Sequence, residues 1–321
     1  MGISNKKGFV LIKKLVAILL LSGLVFSAIT FAILSGPATF SDTYQSVIYR
    51  KYEQLKNTEG PRIIIVGGSN AGFGIDSEYV SQKVGMPVVN MGLHAGFGPL
   101  FNTNIVKNHI QEGDIILLAH EYGLSSTALE KLGDLDLIMA GIDNHPEIYL
   151  DLPLKNYPEI LGNLFSFAEY KASKKESATG VYSSASFDEK GNMILPRASF
   201  IIQNYAEKTD VYGQIKGNQL LPTDDNFEYL NNFRKFAEKK GASVYFVAPV
   251  LLKDAYVGTE QQLLDYKEGL EERTEIPYIS DPNDYLFPSD YMFDTIYHCN
   301  EKGEQKRSEL LANDILNNIL K

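Results

Sequence analysis

Residues Ile63–Gly74 read IIIVGGSNAGFG. Three isoleucines and a valine end abruptly in two glycines, a serine and an asparagine. A short apolar run closed by glycines is the pattern of a strand buried on both faces. The turn residues that follow place Ser69 beyond the strand's carboxyl end, where open parallel sheets bind ligands. Ser69 is either a nucleophile held on a tight turn or part of a glycine-rich corner. A phosphate-binding loop is a poorer reading, because the stretch lacks the P-loop lysine and the dinucleotide-binding glycine spacing.

Outward from this stretch the chain alternates. DSEYVSQKVG reads as a helix with Asp76 as cap and Gly85 as stop, and MPVVNMG as a second strand. PLFNTNIVKNHIQEG is a helix with proline at its start, and DIILLAHEY a third strand. After a break, TDDNFEYLNNFRKFAEKKG, ASVYFVAPV, TEQQLLDYKEGLEERT and IPYISDP give helix, strand, helix and strand. NEKGEQKRSELLANDILNNILK closes the chain as an amphipathic helix, with Leu311, Ile315 and Ile319 on its inner stripe. Strands linked by short crossover helices imply a parallel sheet, here a three-layer α/β/α sandwich of five strands over residues 61–321. Residues 123–222 break the alternation and read as a partly helical insertion that covers one end of the sheet. Turn signals there include Asn144–His145–Pro146 and Lys190–Gly191.

The N-terminus is a separate unit. Lys6, Lys7, Lys13 and Lys14 precede a charge-free stretch, Leu15–Gly36. As a helix at about 1.5 Å per residue it reaches roughly 30 Å, the thickness of a hydrocarbon core. The lysines put the N-terminus in the cytoplasm and the rest of the chain outside. A cleaved signal peptide is the rival, but its apolar region is normally shorter, at about 7–15 residues. Residues 1–40 are therefore read as a cytoplasmic stub with a single membrane anchor, and 41–60 as a polar, helical stalk.

Composition narrows the rest. With 44% hydrophobic and 22% charged residues the chain is globular. A net charge of -10 argues against nucleic acid, because phosphate binding needs a basic face. The single cysteine, Cys299, allows no intrachain disulfide and no multi-cysteine metal site, and reads as a packed residue.

A serine nucleophile needs a base, and the base needs an orienting group. His298, in SDYMFDTIYHCNEKG, follows the fifth strand, with Asp294 four residues before it. Asp290 is the other carboxylate near enough in sequence to orient the imidazole. His94, His120, Glu121 and Tyr122 lie after the second and third strands, at the same end of the sheet. His94 and His120 with Glu121 or Asp294 form no known zinc spacing, so no metal is expected, and no cofactor. Tyr170, Tyr182 and Tyr205 in the insertion could stack on sugar rings, although packing is the commoner role.

These blocks resemble the SGNH hydrolase superfamily of lipases and acylhydrolases, whose sheet is flavodoxin-like. Gly67–Gly68–Ser69 stands where the family has G-D-S, with glycine for aspartate. Asn90 and Gly92 stand in the second block, and Asp294, His298, Asn300 and Gly303 in the last, one residue longer than usual. The third block departs: the family's G-x-N-D is replaced by AHEYG. The resemblance covers about residues 61–122 and 223–321. It implies Ser69, His298 and Asp294 as the triad, and the N–H groups of Ser69 and Gly92 as oxyanion donors. Asn70, His94 or Tyr122 would replace the missing asparagine. The activity implied is an extracytoplasmic acyl esterase or O-acyltransferase, for acetyl groups, acting on a cell-surface polysaccharide. The chain resembles in layout the membrane-anchored proteins of teichoic acid D-alanylation and alginate O-acetylation, which implies a membrane-bound O-acyltransferase as partner. The rival expectation is a catalytically silent domain that binds glycan or scaffolds such a complex.

Overall fold

The computed structural model describes residues 2–123, 129–143, 145–174, 177–197 and 205–321. Asn144, expected in a turn, lies outside these. Helix α1 (Gly2–Leu34) contains an apolar stretch, Phe9–Leu34, long enough to cross a membrane. α2 (Ile48–Asn57) follows, then the alternating half: β1 (Ile63–Gly67), α3 (Ser69–Gly72), α4 (Ser77–Val84), β2 (Val88–Gly92), α5 (Gly98–Lys107) and β3 (Ile115–Ala119). The insertion holds α6 (Leu135–Gly141), α7 (Tyr157–Gly162), α8 (Leu164–Ser173), α9 (Thr209–Tyr212) and the two-residue β4 (Ile215–Lys216). The chain closes with α10 (Asp224–Lys239), β5 (Ser243–Phe246), β6 (Leu251–Leu252), β7 (Tyr256–Val257), α11 (Glu260–Thr274), β8 (Leu286–Phe287) and α12 (Glu301–Asn318).

The main sheet is parallel, in the order β2-β1-β3-β5. Ile63 pairs with Val88 on one side and Ile115 on the other, and Ile115 pairs with Ser243. This register brings the carboxyl ends of β1, β2 and β3 level, at Gly67, Gly92 and Ala119. All of β1 is buried because both faces are covered. Ile64, Val66, Val89, Met91, Ile116 and Leu118 point into a core shared with α2, α5, α10 and α11. Ile63, Ile65, Val88, Ile115 and Leu117 point into a second core with α4 and α12. Burying each such side chain contributes about 1.5–3 kcal/mol relative to exposure.

Two sequence expectations change. Among the described residues the sheet has four strands where five were expected. At IPYISDP the chain makes one parallel bridge, Tyr278 to Phe246, with Phe246 N donating to Pro277 O at 2.8 Å and Ile279 N to Phe246 O at 3.0 Å. Pro277 has no N–H and Pro282 follows, so the ladder cannot lengthen. The expected stalk is also not free. In α2, Ile48, Tyr52 and Leu55 form a stripe at helical spacing and are buried in the larger core, with Lys51 buried beside them.

Candidate active site

Ser69 opens α3, the single helical turn that follows β1. Close backbone approach requires glycine at position 67, and glycine at 68 leaves room for the Glu121 carboxylate. A Cβ on Gly67 would lie 2.6 Å from Ala119 O, and one on Gly68 2.3 Å from Glu121 Oε1. The turn is clamped from below. Asn70 is fully buried; its Nδ2 donates to Ala119 O at 3.0 Å, and its Oδ1 accepts from Arg307 Nη2 at 2.7 Å. Arg307 Nη1 also donates to Asn70 O.

The histidine arrives on a small loop between β8 and α12. Met292 and Cys299 form an antiparallel bridge, and Phe293 N donates to His298 O at 2.8 Å. The Asn300 side chain caps α12 by accepting from Gly303 N at 3.0 Å. This loop brings together residues from opposite ends of the sequence. His298 Nε2 lies 2.9 Å from Ser69 Oγ, and His298 Nδ1 lies 2.9 Å from Asp294 Oδ1. Asp294, not Asp290, faces the imidazole; Asp290 pairs with Lys302 instead. Within the loop Thr295 Oγ1 accepts from His298 N at 3.1 Å.

Three contacts around this relay leave no mark in the sequence. The Phe73 ring stacks on His298 with centroids 4.3 Å apart and planes 7° from parallel. Tyr182, from the insertion, donates its hydroxyl to Asp294 Oδ2 at 2.6 Å. Arg307 clamps Asn70 from a helix far along the chain. Phe73 at least sits within the quoted stretch; Tyr182 and Arg307 carry no local motif. Burial alone would raise the Asp294 carboxyl, but the hydrogen bond and charge of His298, with the Tyr182 hydroxyl, outweigh it and hold it below its ordinary value. Asp294 is therefore ionised at neutral pH.

The relay lies in a cleft of about 530 Å³, lined among others by His94, His120, Glu121, Tyr122, Tyr182 and Tyr212. His94, Glu121 and Tyr122 thus share the cleft with Ser69, as their strand ends suggested. Burial lowers the His94 imidazole, and the charge of His298 lowers it further. Its Nδ1 accepts from Gly96 N at 3.0 Å, so the neutral ring carries its proton on Nε2. Among the described residues no three His, Cys, Asp or Glu side chains gather as a metal site requires. Cys299 is buried, its thiol pushed up to about 12 by burial.

Two of the expected oxyanion donors, Gly92 N and the Asn70 side chain, are engaged within the protein. Gly92 N donates to Asn90 Oδ1 at 2.9 Å, a local ring that takes up the donor. Asn90 is buried, its Nδ2 donating to Ala71 O at 3.0 Å, so it braces the nucleophile turn instead of facing substrate. The Asn70 side chain is held by Ala119 and Arg307, and Asn70 N donates to Glu121 Oε1 at 3.2 Å. Of Tyr170, Tyr182 and Tyr205, the three tyrosines singled out from the sequence, Tyr182 lines the cleft. Tyr170 stacks on Phe40, and Tyr205 is buried with its hydroxyl on Gly213 O.

No family model matches the chain, and no curated protein matches it. The functional reading therefore rests on the site itself.

Proposed function

We propose that this chain is a membrane-anchored serine acyl esterase or O-acyltransferase of the SGNH type, acting outside the cytoplasm on acetylated cell-envelope polysaccharide. The observation that carries the reading is the unbroken line Ser69 Oγ, His298 Nε2, His298 Nδ1, Asp294 Oδ1, with both links at 2.9 Å. In this reading Ser69 Oγ bonds to the acyl carbon as its proton passes to His298 Nε2. The ester C–O bond then breaks, and the leaving alkoxide takes that proton. Water or a polymer hydroxyl next attacks the acyl-serine and gives its proton to His298 Nε2, and the acyl C–Oγ bond breaks as Ser69 Oγ takes that proton back. Ionised Asp294 holds the imidazolium through Nδ1–H. Ser69 N, at the first position of α3, has no intrahelical acceptor, and His94 Nε2–H is a second donor on the cleft wall.

The finer fold belongs to the same proposal. With Pro277–Ile279 taken as a rudimentary fifth strand, the sheet is flavodoxin-like within a three-layer sandwich. Lys13 and Lys14 on the N-terminal side of α1 support a cytoplasmic N-terminus. A membrane-bound O-acyltransferase that delivers the acyl group is the partner this layout suits.

The test is hydrolysis of p-nitrophenyl acetate by the full chain in detergent, beside Ser69→Ala. The variant is expected to lose activity by a factor on the order of 10⁴ and to escape labelling by a fluorophosphonate probe. Equal rates and equal labelling would remove the esterase reading. A second reading, a silent glycan-binding domain, is favoured by two observations: Gly92 N is already engaged, and a carboxylate, Glu121, follows the third strand where the missing asparagine would donate. Wild-type protein at the blank rate, with no labelling, selects it.

A further inference from the structure

Besides α1, the insertion carries exposed apolar side chains. Phe165 on α8 stacks on Phe26 of α1, with ring centroids 4.8 Å apart. Lys13 and Lys14 end the charge-free part of α1 on one side, so Leu15–Leu34 reaches roughly 30 Å, one hydrocarbon core. Phe26 then lies roughly 12 Å along the axis from the C-terminal end of that span. A ring stacked on it shares its depth.

The segment leading to α8 exposes large apolar side chains, with Lys155 and Glu159 exposed between them. Leu150 is 75% exposed, Leu154 82%, Leu161 59% and Phe165 47%. Single exposed leucines are ordinary, but a run of them beside a membrane span is a surface with a partner. An apolar cavity of about 610 Å³ opens here between the end of α1, α6 and α8, lined by Phe31, Leu34, Met139, Ile142, Leu164 and Phe167. The angle between α1 and α8 is held by polar contacts. Lys171 Nζ donates to Asp143 Oδ1 at 2.6 Å and to Gly36 O at 3.3 Å, and Asp143 Oδ2 accepts from Thr39 N at 2.7 Å.

We propose that the exposed apolar side chains Leu150, Leu154, Leu161 and Phe165 enter the bilayer leaflet at the C-terminal end of α1, with Lys155 and Glu159 between them at headgroup level, so that the domain is docked on the membrane as well as tethered to it. The occupant of this surface is the hydrocarbon of the same bilayer, because the patch is continuous with the lipid-facing side of α1 through the Phe26–Phe165 stack. Interfacial helices reach a comparable depth, about 5–10 Å. The inference rests on α1 spanning a membrane and is independent of the chemistry at Ser69.

The chain has no tryptophan, so single tryptophans report single sites. Leu19→Trp, Leu154→Trp and Leu316→Trp would be made in the full chain and reconstituted in phosphatidylcholine vesicles with plain or brominated acyl chains. Leu19 lies near the middle of α1, and Leu316 is on α12, which packs into the core on the other face of the sheet from Ile160 of α7. Emission from Leu154→Trp is expected to be quenched by brominated lipid about as strongly as that from Leu19→Trp, and Leu316→Trp to be unaffected. Quenching at position 19 with none at 154 overturns the docking. Absence of quenching at both overturns the span on which it rests. All three positions are partly or fully exposed, so the substitutions leave the core intact.

Discussion

The Glu121 carboxylate accepts the Asn70 N–H at 3.2 Å at the foot of the turn that carries Ser69, close to where the proposed acyl transfer would develop negative charge. A fixed anion there opposes an oxyanion, whereas an amide of the same shape can donate to it. Glu121→Gln is therefore expected to raise kcat/KM for p-nitrophenyl acetate, by about tenfold or more, since one oxyanion donor contributes about 2.7–4 kcal/mol. Initial rates of the two proteins side by side check this. A fall would assign the carboxylate to substrate binding instead. At this scale Ser69, Asp294 and His298 were legible because each sits in a short segment whose turn chemistry is local. The fate of Asn70 was not, because its partner Arg307 is on α12 at the other end of the chain. Nor was that of Gly92, whose N–H is engaged by a side chain only two residues away in a geometry that the residue types do not dictate.

Among the elements, α3 and α12 act as a pair. Arg307 is buried, and both of its terminal nitrogens hold Asn70, so α12 fixes the turn that carries Ser69. Arg307→Met keeps the bulk but leaves Asn70 O and Oδ1 without this donor. Unmade buried hydrogen bonds of this kind cost about 1–3 kcal/mol each. The variant should melt several degrees lower and lose activity together with stability, as read by thermal unfolding and esterase rates. An unchanged melting temperature would show that the clamp is dispensable. The caps were readable: Asp76 accepts from Tyr79 N at 3.0 Å, and Gly85 takes the left-handed φ of 72°. What misled was context. IPYISDP has a strand's apolar content, yet its prolines restrict it to one bridge. YRKYEQLKN reads polar, yet its few apolar residues share one stripe, and the domain covers them.

For the molecule as a whole, Lys51 is a buried charge that ties stability to pH. Its Nζ donates to Asn90 O at 2.8 Å, and burial lowers it from 10.5 to about 7, with Asp188 opposing. In the unfolded chain the amine holds its proton up to about 10.4, so between the two values the unfolded state binds more protons. This residue's contribution therefore rises with pH from about 7 to about 10, by an amount on the order of a few kcal/mol. Lys51→Met removes the titration. The melting temperature of the wild type relative to the variant should climb across that window, and a constant difference would refute the assignment.

The sequence by itself determined the strands and helices of the alternating half, the apolar N-terminal helix and the serine and histidine segments. These depend on local periodicity, turn residues and composition, which a linear chain displays. Tertiary structure decided which carboxylate faces His298, which amides are already engaged and where the insertion lies against α1. Each of those depends on pairs such as Asn70–Arg307, Tyr182–Asp294 and Phe26–Phe165. Their separation along the chain carries no periodic signal, and their contact exists only once the two cores have formed on the sheet.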